Sequence, residues 1–94
     1  MRLTFEWDEV KDGANIRKHK VSFEETKTVF NDPFLMTFPD LDHSDDEQRF
    51  VSIGQSARGR TLVVVHTDRE GNVRLISSRP ATASEREYYE EERT

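Results

Sequence analysis

The sequence predicts an α+β fold, a single compact domain in which N-terminal helices and a C-terminal helix pack a mostly antiparallel sheet. Three observations lead there. Residues 49–55, 61–67 and 73–78 read as short strands separated by Gly-containing turns, the pattern of an antiparallel meander. The flanking segments carry helix caps at Asp8, Ser22 and Thr82 or Ser84. The chain has 94 residues, of which 22 are Val, Ile, Leu or Phe, enough for one thin core, so residues 1–94 are read as one domain.

Phe5-Glu6-Trp7-Asp8 starts extended, and Asp8 is placed to cap a helix through Val10, Asn15, Ile16 and His19, weakened by Gly13. Ser22-Phe23-Glu24-Glu25 reads as a capping box opening a helix over 23–31, with Val21 and Thr26 forming a poor staple. Pro33 restricts Asp32 away from helical geometry and stops it. A strand over 34–38 ends at Pro39, and the acidic stretch Asp40–Glu47 reads as a solvated loop. The separators 56–60 and 69–72 make two hairpins, the second centred on Glu70-Gly71. A final helix covers 85–92, with one of Tyr88 and Tyr89 packed.

Charge is segregated. The net charge is −5, yet residues 49–79 hold six arginines against two acids, while both flanking stretches are acidic. Arginine's planar fork suits phosphate recognition. The chain has no Cys, which excludes disulfides and thiolate metal sites. There is no P-loop, Gly-x-Ser-x-Gly or His-Glu-x-x-His, and the acidic loop lacks the Gly and Glu that a calcium loop needs, so no metal or cofactor is expected. The longest apolar run, Leu62–Val65, is too short for a bilayer, and a cytoplasmic location is expected.

If strand 61–67 pairs with 73–78 and with 49–55 through the simplest turns, one sheet face carries Arg49, Val51, Ile53, Leu62, Val64, His66, Leu75, Ser77 and Arg79. A one-residue slip would regroup it. An imidazole beside arginines is what metal-independent RNA cleavage needs: a group to take the 2′-hydroxyl proton and cations to hold the phosphorane charge. This marks His66, Arg79 and Arg60 as catalytic candidates, and Lys18, His19, Arg49, Arg58 and Arg74 as candidates for RNA binding. The alternative for His66 is a satisfied strand histidine. For Lys18-His19-Lys20 it is a cationic helix end favoured by the macrodipole.

The whole chain also resembles a known family, the BrnT-type toxins of bacterial type II toxin–antitoxin systems. The likeness runs through Phe5-Glu6-Trp7-Asp8, Asn15, Lys18-His19, Val21-Ser22-Phe23-Glu24-Glu25, Val29-Phe30, Asp32-Pro33, His43-Ser44, Glu47, Arg49, Ile53-Gly54, Ser56, Gly59-Arg60, Leu62-Val63-Val64, His66-Thr67, Arg74, Ile76-Ser77, part of Arg79-Pro80-Ala81, and Glu85-Arg86 with Tyr88 or Tyr89. The resemblance implies a RelE-like ribonuclease fold and RNA cleavage that halts translation. It also implies a BrnA-like ribbon-helix-helix antitoxin, with which the toxin forms a heterotetramer and through which alone it meets DNA. The chain departs from the family at Lys20, where Gly is usual, and in its acidic tail, where relatives commonly continue with basic residues. Two functions therefore compete: an endoribonuclease toxin, and a catalytically weak module that binds an antitoxin and takes part in transcriptional autoregulation.

Overall fold

The computed structural model describes residues 3–43 and 47–93. Five strands form one sheet in the order β1-β5-β4-β3-β2, where β1 is Phe5–Glu6, β2 Met36–Asp40, β3 Arg49–Gln55, β4 Thr61–Arg69 and β5 Asn72–Pro80. Among the described residues only the β1–β5 pair is parallel. Helices α1 (Glu9–His19) and α2 (Phe23–Thr26) precede β2, and α3 (Ala83–Glu92) ends the chain. None of the described helices is long and apolar enough to cross a membrane. This is the α+β architecture expected, with the three-strand meander at its centre.

The local reasons are visible. Asp8 Oδ1 accepts from Val10 N at 2.8 Å and starts α1, and Ser22 Oγ accepts from Glu25 N at 3.1 Å and starts α2. The second helix is not continuous over 23–31 as expected. It is α-helical only to Thr26 and tightens to a 3₁₀ turn over Lys27–Asn31. Asp32 then ends it, its carboxylate accepting from Phe34 N at 2.9 Å, Gln55 N at 2.8 Å and the Tyr89 hydroxyl. Burial pushes that carboxyl upward, but these hydrogen bonds and the Arg93 charge outweigh it and hold the group below its ordinary range. Phe34 thus belongs to a turn, and the strand begins two residues later than expected. It also runs through Pro39, which β2 tolerates because it is an edge strand. Of the expected acidic loop, Asp40 closes β2, residues 41–43 form one 3₁₀ turn, and 44–46 lie outside the described residues. Thr82 caps α3 in a reciprocal box with Glu85, so this helix starts at Ala83.

Two departures in register decide which side chains meet. In β3–β4, Ser56 N donates to Arg60 O at 2.8 Å, closing a three-residue loop with Gly59 at φ +83°, so Gln55 and not Ser56 opposes Thr61. In β4–β5 the turn is centred on Glu70-Gly71 as expected, both at positive φ. His66 does oppose Leu75, but a bulge then makes Val65 oppose Ser77 and Val63 oppose Arg79.

The inner face therefore carries Phe50, Ser52, Leu62, Val64, His66 and Leu75, of which Leu62, Val64 and Leu75 pack with Val21, Phe23 and Val29. Gly54 lies on this face because a Cβ there would meet Leu35 Cδ1 at 2.8 Å and Val29 Cβ and O at 3.3 Å. A buried polar node ties α1 to β5: Asn15 Nδ2 donates to Val21 O at 2.9 Å, Ser78 N donates to Asn15 Oδ1 at 3.0 Å, and the Thr26 and Ser78 hydroxyls share a bond at 2.6 Å. On the outer face Ile53 and Val63 pack against Tyr89 of α3, while Tyr88 is exposed.

Candidate nucleic-acid interface

The face expected to unite Arg49, His66 and Arg79 does not form, because the β3–β4 slip and the β5 bulge separate its members. Arg49, Val51, Ile53, Ser77 and Arg79 remain together but lie on the outer face with Val63 and Val65; His66 lies on the inner one.

His66 is 7% exposed. Its ring stacks on Phe50 at 5.7 Å and meets Phe30 edge-on at 5.1 Å. Nε2 shares a 2.7 Å hydrogen bond with Ser52 Oγ, which in turn bonds Thr37 Oγ1 at 2.7 Å. Burial disfavours the imidazolium and lowers the pKa to about 4, so the ring is neutral across the physiological range.

The outer arginines are neutralised in place. Arg79 donates to both oxygens of Glu85, at 2.8 and 2.9 Å. The Arg79 hydrogen bond, together with the Thr82 backbone, holds the Glu85 carboxyl at about 2. Arg74 Nη1 meets Glu6 Oε2 at 3.0 Å, and Arg49 is the direct cross-strand partner of Asp40 in the β2–β3 pair.

Positive charge gathers elsewhere, where the Ser56–Arg60 turn meets the end of α1. The organiser is Glu25, a residue sequence reasoning passed over. In its position as third residue of a capping box it should reach back to the Ser22 backbone. Instead it is buried and accepts from Arg60 Nε at 3.0 Å, Arg60 Nη2 at 2.5 Å and Ser56 Oγ at 2.8 Å, with Arg58 Nη1 at 3.7 Å. The Arg60 hydrogen bonds lower its pKa against the opposing effect of burial, and Glu25 raises that of Arg60 in return. The only local signal was a pair of arginines, Arg58 and Arg60, flanking Gly59; the acid they meet lies more than thirty residues earlier in the sequence.

Arg60 Nη2 also donates to Lys20 O at 3.0 Å. Lys20 ends α1 in the left-handed conformation, φ 60° and ψ 33°, the helix C-terminal geometry that most often falls to Gly. Lys20, Arg58 and Arg60 line a hollow of ≈ 310 Å³, and the Arg58 side chain is 75% exposed. Three cations against one carboxylate leave this hollow positive. Along α1 and β5, Lys11, Lys18, His19, Asn15, Ile76 and Ser77 border a second hollow of ≈ 280 Å³. Of the candidates, then, the structure brings Arg58 and Arg60 to one hollow and Lys18 and His19 to another. It places Arg49, Arg74 and Arg79 on the outer face and His66 within the core.

Comparison with known proteins agrees with the fold. The crystal structure of the Brucella abortus ribonuclease toxin BrnT, at 1.1 Å resolution, superposes with a TM-score of 0.66 at 23% identity, covering 86% of this chain and 99% of that one. No curated protein matches the chain. Residues 7–85 match the family model described as the ribonuclease toxin, BrnT, of type II toxin–antitoxin systems, and the chain therefore belongs to the BrnT toxin family.

Proposed function

We propose that the chain is a metal-independent endoribonuclease that cuts RNA to inhibit translation. In the same reading a BrnA-like ribbon-helix-helix antitoxin neutralises it within a heterotetramer and supplies the only contact with DNA. The observation that carries the catalytic half is the presence of two basic hollows bordered by α1 and its C-cap, one lined by Lys20, Arg58 and Arg60 and the other including Lys18 and His19. Arg58, Arg60 and Lys20 hold the phosphate and its growing charge, with Lys18 supporting the adjacent backbone. His19, half-buried in the second hollow, takes the 2′-hydroxyl proton. The 2′ oxygen then attacks phosphorus, the P–O5′ bond breaks with its electron pair passing to O5′, which takes a proton from solvent water and leaves as the 5′-hydroxyl, and a 2′,3′-cyclic phosphate remains. Histidine is the side-chain type suited to this near neutrality. The other two catalytic candidates serve the scaffold: His66 the inner face and Arg79 the α3 cap.

A second reading, a catalytically weak module that binds antitoxin and takes part in autoregulation, is favoured by one observation. The outer arginines are held by Glu6 and Glu85, and α3 adds Glu87, Glu90, Glu91 and Glu92 to that side of the sequence. Expression separates the two. Growth arrest relieved by His19→Gln or by the double change Lys20→Ala with Arg58→Ala supports the nuclease. Absence of arrest from the parent, with an antitoxin still copurifying, supports the module.

A further inference from the structure

The Ser56–Arg60 turn also borders a third hollow, through Ser56 and Ala57. It measures ≈ 330 Å³ and is bordered by Asn31, Phe34, Gln55, Ser56, Ala57 and Arg93 among others. Its floor is Asp32, whose carboxylate oxygens are already engaged by Phe34 N, Gln55 N and the Tyr89 hydroxyl. Its apolar wall is the Phe34 ring, 44% exposed, with the flat guanidinium of Arg93 at 5.2 Å from the ring centroid. Asn31 and Gln55 contribute amides, each able to donate and to accept. Gln55 Nε2 lies 3.4 Å from Gly59 O, a long contact, and its carbonyl oxygen meets no donor among the described residues.

We propose that this hollow takes one unpaired nucleobase of the RNA strand whose phosphate occupies the Lys20, Arg58 and Arg60 hollow. The inference rests on the ribonuclease reading and deepens it. Ser56 and Ala57 border the one hollow, and Arg58 and Arg60 the other. The two hollows are thus bordered by consecutive residues, Ala57 and Arg58, of one turn. The chemistry divides as a nucleotide does: fixed cations on one side, an aromatic face with amide edges on the other. Single-stranded RNA is held by stacking on aromatic rings and on guanidinium planes, and read along its base edges by such amides. The turn itself is braced for this. Ala57 N donates to Thr28 Oγ1 at 2.8 Å and Gly59 N to Ser56 O at 2.9 Å, so the two sites keep a fixed spacing.

The test uses the full chain and short unstructured oligoribonucleotides of each base, with affinity measured over a range of salt. Phe34→Ala should weaken binding about tenfold, the usual loss when a stacking ring is removed, without changing the salt slope. Phe34→Trp should restore it. Gln55→Ala should flatten the preference among the four bases. Arg58→Ala should lower the slope by about 0.7 while keeping that preference. Should Phe34→Ala unfold the chain, Phe34→Leu, which keeps the apolar cover and loses the stack, replaces it. RNA binding by the parent with no effect of Phe34→Ala, Phe34→Leu or Gln55→Ala overturns the base site alone. So does a loss confined to antitoxin copurification, which would give the hollow to the partner protein. Absence of RNA binding by the parent overturns the ribonuclease reading and this inference together.

Discussion

Arg60 and Glu25 meet through two nitrogens, Nε at 3.0 Å and Nη2 at 2.5 Å, and through this pair the β3–β4 turn is fastened to α2. Because Glu25 is buried, the pair is a dependency as much as a bond: removing one partner strands the other's charge. Arg60→Ala should destabilise the chain by about 2–4 kcal/mol, and the Arg60→Ala, Glu25→Gln double variant by less than the sum of the two single changes. Urea denaturation of the four proteins checks this; additivity would show that the pair carries no coupling.

Lys20 should show opposite signs for stability and function. A non-Gly residue at φ 60° is strained, so Lys20→Gly should raise stability by about 0.5–1 kcal/mol. The same change removes a cation from the phosphate hollow and should slow RNA cleavage and lower the salt slope of binding. Thermal melting and cleavage rates on one preparation measure both.

The buried imidazole predicts a pH dependence. His66 keeps its neutral form in the folded chain down to about pH 4, whereas the unfolded chain takes up a proton near the ordinary value of about 6.5. The stability this contributes is complete above that value and is lost as pH falls through the window towards 4, by up to about 3 kcal/mol. His66→Gln, which can still bond Ser52, should remove that slope between pH 6.5 and 4 while leaving RNA cleavage in place.

Much of the fold was legible because its signals are local. Asp8, Ser22 and Thr82 announce helices, and Glu70-Gly71 announces the second hairpin. What periodicity could not convey was a single residue of register. The Gly59 loop and the β5 bulge each shift one pairing, and side chains alternate faces, so Arg49 and Arg79 left the face of His66. Glu25 was hidden for a different reason. Its capping position gave a sufficient explanation for an acid there, while its partners Arg60 and Ser56 lie more than thirty residues away in sequence. The Lys18-His19-Lys20 run, by contrast, was visible as a candidate, and its alternative as a macrodipole effect describes the same residues without the hollows around them.

Close packing at Gly54 gives a stability test independent of charge. Gly54→Ala would force Leu35 and the Val29 backbone apart and should cost about 1–3 kcal/mol. A neutral effect on melting would mean that the 3₁₀ turn does not sit as close to β3 as described.

The most direct measurement is the chemistry of the cut itself. Unstructured RNA is incubated with the purified chain in excess EDTA, and the new ends are identified. The parent should leave 2′,3′-cyclic phosphate ends, and the Lys20→Ala, Arg58→Ala double variant, folded by melting, should be slower by about tenfold or more, as expected when charge-stabilising donors are lost. RNA left intact by the folded parent, cleavage abolished by EDTA, or an undiminished rate in the double variant would contradict the assignment of these hollows to RNA cleavage.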